Sequence, residues 1–412
     1  MTFLHTRLEN GLNLIGEHNP AAQSFAMGYF VRTGARDEPA EIMGVSHFLE
    51  HMMFKGTERR SPEDVNREFD ELGAQYNAFT SEENTVYFGR VLPEFQDRLV
   101  DLLTDMMRPS LRQEDFDTEK KVILEEIARY RDRPVWVAYD AARTAYHGDH
   151  PLGHLVLGTP ETIGNLPRDA MLRYFERRYS PGNMTCAIVG NFDWDAAVAQ
   201  IADMTASWEP FDTTRSLEPP AANAVTRVVS DPKLKQAHLV WLMPGVSAQD
   251  DSRYVANVLA QAIGDDVGSR FYWELVDPGL ADSASLSHDE EDGTGLFSAY
   301  VSCDPQNVTQ VVAIVRRILE DATANGVSDA EMERAKQKIA SALVLRAETP
   351  RGRLVPVGMS WVYRREYVGV DASVDRYLAV GQDDARAFLA REPFARRTLV
   401  ALGPLDDTTQ LN

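Results

Sequence analysis

Residues His47-Phe48-Leu49-Glu50-His51 place two imidazoles and a carboxylate on little more than one helical turn. At about 3.6 residues per turn, positions four apart lie one above the other, so His47 and His51 can offer nitrogens to one metal ion while Glu50 stands beside them. Such a string is a zinc site that carries its own base. Met43, Val45, Phe48, Leu49, Met52 and Met53 supply the apolar surface a helix buries, and Gly56 can close its C-terminal end.

A catalytic zinc ion takes three protein ligands and leaves a fourth position to water, so a further ligand must come from elsewhere in the chain. The segment from Phe116 to Tyr130 reads as a helix bearing Glu119, Glu125 and Glu126. Glu119 and Glu126 are two turns apart and share a face, whereas Glu125 is turned away by about 100°. A solvated acidic helix would carry the same residues in so acidic a chain, and spacing alone leaves the choice open.

The string matches the inverted zinc-peptidase motif. Followed by Glu126 after 74 intervening residues (52–125), it resembles the signature of the M16 metallopeptidases, the pitrilysin, insulin-degrading enzyme and mitochondrial processing peptidase group, in their short bacterial form. Gly44-Val45-Ser46, Phe54-Lys55-Gly56-Thr57, Asn77-Ala78-Phe79-Thr80 with Tyr87-Phe88, Leu157-Gly158-Thr159-Pro160-Glu161 and Tyr179-Ser180-Pro181-Gly182-Asn183-Met184 extend the resemblance over nearly the whole chain. The resemblance implies Zn2+ as cofactor, His47, His51 and Glu126 as its ligands, Glu50 as the base that activates water, and Glu119 as an acid that orients a ligand. It also implies that Asn77, Ala78 and Phe79 lie on an edge strand that receives the substrate as an added strand.

The chain has 412 residues, 44% of them hydrophobic, enough for two or three domains with cores of their own. Sixty-three acidic against 42 basic residues give a net charge of −21, which disfavours nucleic acid and anionic membranes and favours basic ligands. No 18-residue apolar run exists, and Met1 to Arg7 lacks the basic and apolar regions of a signal peptide, so a cytoplasmic protein is expected. Cys186 and Cys303 fall in separate apolar runs and read as buried and reduced.

The elements read as an α+β chain in two comparable halves, each a sheet packed by helices. Expected divisions are 1–211 with the metal motif, a Pro-containing linker at 212–224, and 225–412 without a metal motif. The first half reads strand (12–17), strand (24–31), metal helix, and a helix capped by Ser61 with Pro62 and Asp64. Two strands through Val91, helices at 93–107 and 114–131, and a strand at 184–190 follow. The second reads strand (237–243), helices (252–263 and 267–276), strands (282–288 and 295–302), helices (305–325 and 329–348) and a strand (398–402). The resemblance implies that two such halves form half of a clamshell, and hence a dimer around a substrate chamber.

One departure stands out. Related enzymes carry in the second half an Arg and, seven residues on, a Tyr that approach the zinc site of the opposing half; the corresponding positions here, in a segment one residue short, hold Val276 and Asp282. Losing one oxyanion donor commonly costs about 100- to 1,000-fold in turnover. The expectation is therefore the metal-bearing subunit of a heterodimer that hydrolyses short or unfolded polypeptides. The alternatives are a self-sufficient homodimer in which Arg270, Tyr272 or Tyr300 substitutes, and a non-enzymatic scaffold subunit. His147, His150 and His154 are separated by Gly and Pro, share no fixed face and read as structural.

Overall fold

In the computed structural model, which describes residues 1–406, 409 and 411, the strands assemble into two sheets. The first contains β1 (Thr2–Arg7), β2 (Asn13–His18), β3 (Phe25–Val31), β4 (Gln75–Thr80), β5 (Thr85–Val91) and β6 (Met184–Gly190), in the order β1-β2-β6-β3-β5-β4. The second contains β7 (Thr226–Ser230), β8 (Ala237–Pro244), β9 (Ser283–Glu290), β10 (Gly295–Cys303) and β11 (Thr398–Gly403), in the order β7-β11-β8-β10-β9.

The two orders are one topology used twice, with β1 added at the edge of the first. β2 runs parallel to β6 as β7 runs parallel to β11, and the remaining pairs are antiparallel. The α+β class with two like halves therefore holds. The strands and helices expected from periodicity are present, except that the helix expected at 267–276 winds only from Arg270 into the π-helical turn Tyr272–Val276, because Gly268 takes a φ of +76° that ends helical geometry before it. Strands β1 and β7 and several helices, among them Pro134–His147 and Pro350–Arg364, were not anticipated.

The chain folds as two compact units that do not follow chain order. One comprises Met1–Ala128, His154–Ser216 and Leu345–Gly369; the other comprises Arg129–Gly153, Leu217–Val344 and Val370–Asn412. The crossing at Ser216 falls within the segment read as a linker, but 129–153 and 345–369 lie in the other unit from the one a linear division assigns. The cause is burial. β3 and β6 are buried at every position, so both faces of the sheet need a cover. On one face of the first sheet, helix Pro350–Arg364 packs Leu354, Val357 and Trp361 against Ile15, Phe30, Ala187 and Val189. On the second sheet, helix Pro134–His147 packs Ala138, Ala142 and Tyr146 against Val240, Leu242, Val400 and Leu402.

A buried ion pair pins the first of these helices. Arg353 donates from Nε to Glu17 Oε1 at 2.9 Å, the Tyr367 hydroxyl donates to Glu17 Oε2 at 2.8 Å, and Glu17 is only 1% exposed. Among the described residues no helix is long and apolar enough to cross a membrane.

Candidate metal centre

The site is built on helix Val45–Met52, which starts at Gly44 with a φ of +94°; a Cβ there would lie 2.7 Å from the Leu157 carbonyl oxygen. Glu38 holds this N-terminus, accepting from the Gly44 N–H at 2.6 Å and the Ser46 N–H at 2.7 Å, where a carboxylate meets the positive end of the helix dipole. Burial pushes the Glu38 carboxyl up to about 8 against the pull of those N–H groups. Phe48 stacks on Phe116 with ring centroids 4.7 Å apart, which lays the long helix Gln113–Arg131 alongside. That helix brings Glu119 and Glu126, seven residues apart, to the imidazoles.

Glu126 Oε2 lies 3.7 Å from His47 Nε2 and 3.5 Å from His51 Nε2. One ligand atom from each of the three residues falls within 4.8 Å of the other two, and no other such group of His, Cys, Asp or Glu occurs among the described residues. Bonds of about 2.0–2.1 Å in a tetrahedron put ligand atoms about 3.3 Å apart, so the donor set fits a zinc ion with small adjustment. Two imidazole nitrogens with one carboxylate also suit zinc chemically.

The electrostatics agree with this use. Burial, and then the neighbouring His51, push the His47 ring down to about 3, leaving it the neutral imidazole that a metal ligand must be. Burial also lowers His51, but the hydrogen bond to Glu119 and the charges of Glu126, Glu119 and Glu50 outweigh it and set the ring above its ordinary value. His51 Nδ1 pairs with Glu119 Oε1 at 2.8 Å; with Nδ1 donating to that carboxylate, Nε2 is left to coordinate a metal ion in the space it shares with Glu126. The second oxygen of Glu119 lies 2.6 Å from Lys55 Nζ. Burial opposes ionisation of Glu119, yet the hydrogen bonds of His51 and Lys55 hold its carboxyl below the usual range.

Glu50 sits on the same helix with one hydrogen-bond partner among the described residues: the Thr80 hydroxyl, which donates to Oε2 at 2.6 Å. Burial raises the Glu50 carboxyl, with Thr80 and His51 opposing it. Thr80 ends β4, the edge strand of the first sheet. Along β4, Tyr76 and Ala78 face the core beneath the metal helix, and Phe79 packs on the opposite face beside Phe88. The Ala78 N–H is held by Asn77 Oδ1 at 2.9 Å. Sequence reasoning gave Lys55, Thr80 and Glu38 no role. Lys55 is four residues after His51 and Thr80 two after Ala78, so helical and strand spacing could have pointed to both; nothing local pointed to Glu38.

In the second unit, Val276 packs half-buried against the core and Asp282 Oδ2 accepts from Gln236 Nε2 at 2.6 Å. Arg270 is committed to Glu331 at 2.7 Å, to Asp321 at 2.9 Å and to the Gly326 carbonyl at 2.8 Å. The Tyr300 hydroxyl pairs with His238 Nδ1 at 2.8 Å. His150 and His154 do not gather into a metal group: His150 Nε2 donates to the Glu218 carbonyl and His154 Nδ1 to the Ala35 carbonyl.

Comparison with known proteins gives the same picture. Residues 14–160 match the family model described as Insulinase (Peptidase family M16), and residues 165–339 match Peptidase M16 inactive domain. An uncharacterized zinc protease of Streptomyces coelicolor is 34% identical over 98% of this chain and 90% of its own length. An uncharacterized zinc protease of Bacillus subtilis is 30% identical over 96% of both. The fold is similar to that of a protease from Helicobacter pylori, with a TM-score of 0.88 at 20% identity over 98% of this chain and 99% of that one. With the motif helix, the distant Glu126 and near-full-length relatives in agreement, the chain belongs to the M16 peptidase family.

Proposed function

We propose that this chain is a zinc-dependent endopeptidase for short or unfolded polypeptides, acting as the metal-bearing subunit of a heterodimer. The observation that carries the catalytic part is the convergence of His47, His51 and Glu126 beside Glu50. Zinc, when bound, supplies Lewis acidity that makes water a nucleophile near neutral pH. Glu50, held through Oε2 by Thr80, keeps Oε1 to take a proton from the attacking water and return it to the leaving amine. The edge of β4 at Asn77, Ala78 and Phe79 holds the peptide as an added strand, with backbone bonds that do not depend on sequence. The names of the relatives, zinc proteases, support the same activity.

The heterodimer rests on Val276 and Asp282, neither of which can serve as the oxyanion donor, and on the engagement of Arg270 and Tyr300 elsewhere. A second M16-like chain would supply the missing pair and close the chamber. The net charge of −21 favours basic peptides by long-range attraction. Hydrolysis of an internally quenched basic peptide by the purified, zinc-loaded chain, with Glu50→Gln as control, tests the reading. Bound zinc with cleavage only after a second M16-like chain is added supports it. Robust cleavage by the chain alone, abolished in Glu50→Gln, would replace the heterodimer with a self-sufficient enzyme. Failure to bind zinc would overturn the catalytic reading.

A further inference from the structure

Lys55 lies just beyond the metal helix and is fixed from three sides. Its N–H donates to the Met52 carbonyl at 3.0 Å, and its carbonyl accepts from Arg112 Nη2 at 3.0 Å. Its ammonium reaches back to Glu119 Oε2 at 2.6 Å. Arg112 is itself held by Asp115 at 2.6 Å, so the turn that aims Lys55 is braced by the start of the helix that carries Glu119. The chain of contacts is Lys55 to Glu119 to His51, ending at the ring nitrogen that faces Glu126.

Charge counting shows what Lys55 contributes. Glu50, Glu119 and Glu126 bring three carboxylates to one half-buried centre, and a divalent cation offsets two of them. The third is Glu119, whose side chain is 5% exposed and which is not placed to bind the metal directly, because one oxygen serves His51. An uncompensated carboxylate so far from water is costly, and Lys55 is the cation in contact with it. Geometry adds a second effect. With Lys55 on Oε2, Glu119 has only Oε1 to accept from His51, and this locks the imidazole in the tautomer and orientation a metal ion requires.

We propose that Lys55 is a positioning residue that sets the affinity of the centre for zinc by anchoring and neutralising Glu119. The proposal rests on the zinc-binding part of the reading above. Its test measures zinc affinity directly, by competition with a chromogenic chelator, and so needs neither activity nor a partner chain.

Lys55→Met keeps the aliphatic stem and removes the charge; it should weaken zinc binding about 10- to 100-fold, the range for losing a group that orients a metal-bound histidine. Lys55→Arg should restore affinity to within a few-fold of the parent. In a Glu119→Gln background the effect of Lys55→Met should vanish, because the carboxylate it serves is gone. Unchanged melting of the metal-free Lys55→Met protein would separate this role from a structural one. The proposal is overturned if Lys55→Met binds zinc as the parent does, if it loses the same factor with Gln at position 119, or if its metal-free form is already unfolded while Lys55→Arg fails to recover affinity. A parent chain that binds no zinc would instead overturn the function, and the inference with it.

Discussion

The Thr80 hydroxyl donates a 2.6 Å hydrogen bond to Glu50 Oε2, joining the last residue of an edge strand to the carboxylate beside the candidate metal ligands. One oxygen of the proposed base is thereby fixed and the other left available. Replacing Thr80 with Val keeps shape and removes the donor. Under the proposed function, turnover should fall roughly 10- to 100-fold with KM changed little, since general-base catalysis is worth about 100- to 10,000-fold and only its orientation is lost. Thr80→Ser should recover most of it. Steady-state kinetics on one peptide decides the matter, and a Thr80→Val protein with parental kcat would show that Glu50 needs no such support.

Metal removal should register as stability. A ligand that binds only the folded chain stabilises it in proportion to the logarithm of its concentration over Kd. Melting temperature should therefore drop on addition of a chelator and return with zinc. His47→Ala, His51→Ala and Glu126→Ala should melt at one temperature with and without chelator. A chelator response that survived in Glu126→Ala would argue against its role as a ligand.

Arg353→Met should destabilise the first unit by about 3–5 kcal/mol, because it leaves Glu17, 1% exposed, as a buried charge without its guanidinium. Glu17→Leu added to Arg353→Met should recover much of the loss. Urea unfolding of the parent and the two variants measures both effects, and an Arg353→Met protein as stable as the parent would contradict the buried pairing.

His288 gives a pH dependence whose sign is fixed by structure. Its Nε2 accepts the Val246 N–H at 3.1 Å, and burial pushes the ring down from about 6.5 to about 4. The unfolded chain takes up the proton first as pH falls. Stability is thus fully present above about pH 6.5, declines through the window to about pH 4, and loses about 3 kcal/mol from this residue in all. His288→Gln should flatten that part of the stability profile, as chemical denaturation at a series of pH values would show; an unchanged slope would assign it to other groups.

Much of this centre was legible before the structure, and the reason is local geometry. His47, Glu50 and His51 sit within one helical turn and a half, and Glu119 and Glu126 within two turns, so pitch alone arranges each set. What periodicity could not supply was the relation between the sets, which depends on Phe48 stacking on Phe116. Residues contributed from other elements, Thr80 from a strand end and Glu38 from a loop, left no pattern. In the fold, Met184–Gly190 advertised a strand buried on both faces, yet nothing in it named Leu354, Val357 and Trp361 as its cover.

That cover has a consequence for biosynthesis. The last strand of the first sheet ends at Gly190, but the helix that shields one of its faces begins at Pro350. A ribosome therefore displays a complete apolar sheet face long before the residues that close it emerge, and the first unit cannot finish folding until most of the second has been made. High contact order of this kind slows folding and leaves time for mispairing. A fragment ending near residue 211 would carry every residue of the candidate metal centre and still present Ile15, Phe30, Ala187 and Val189 to solvent, so the centre depends on the whole chain even though its residues all lie before Arg129.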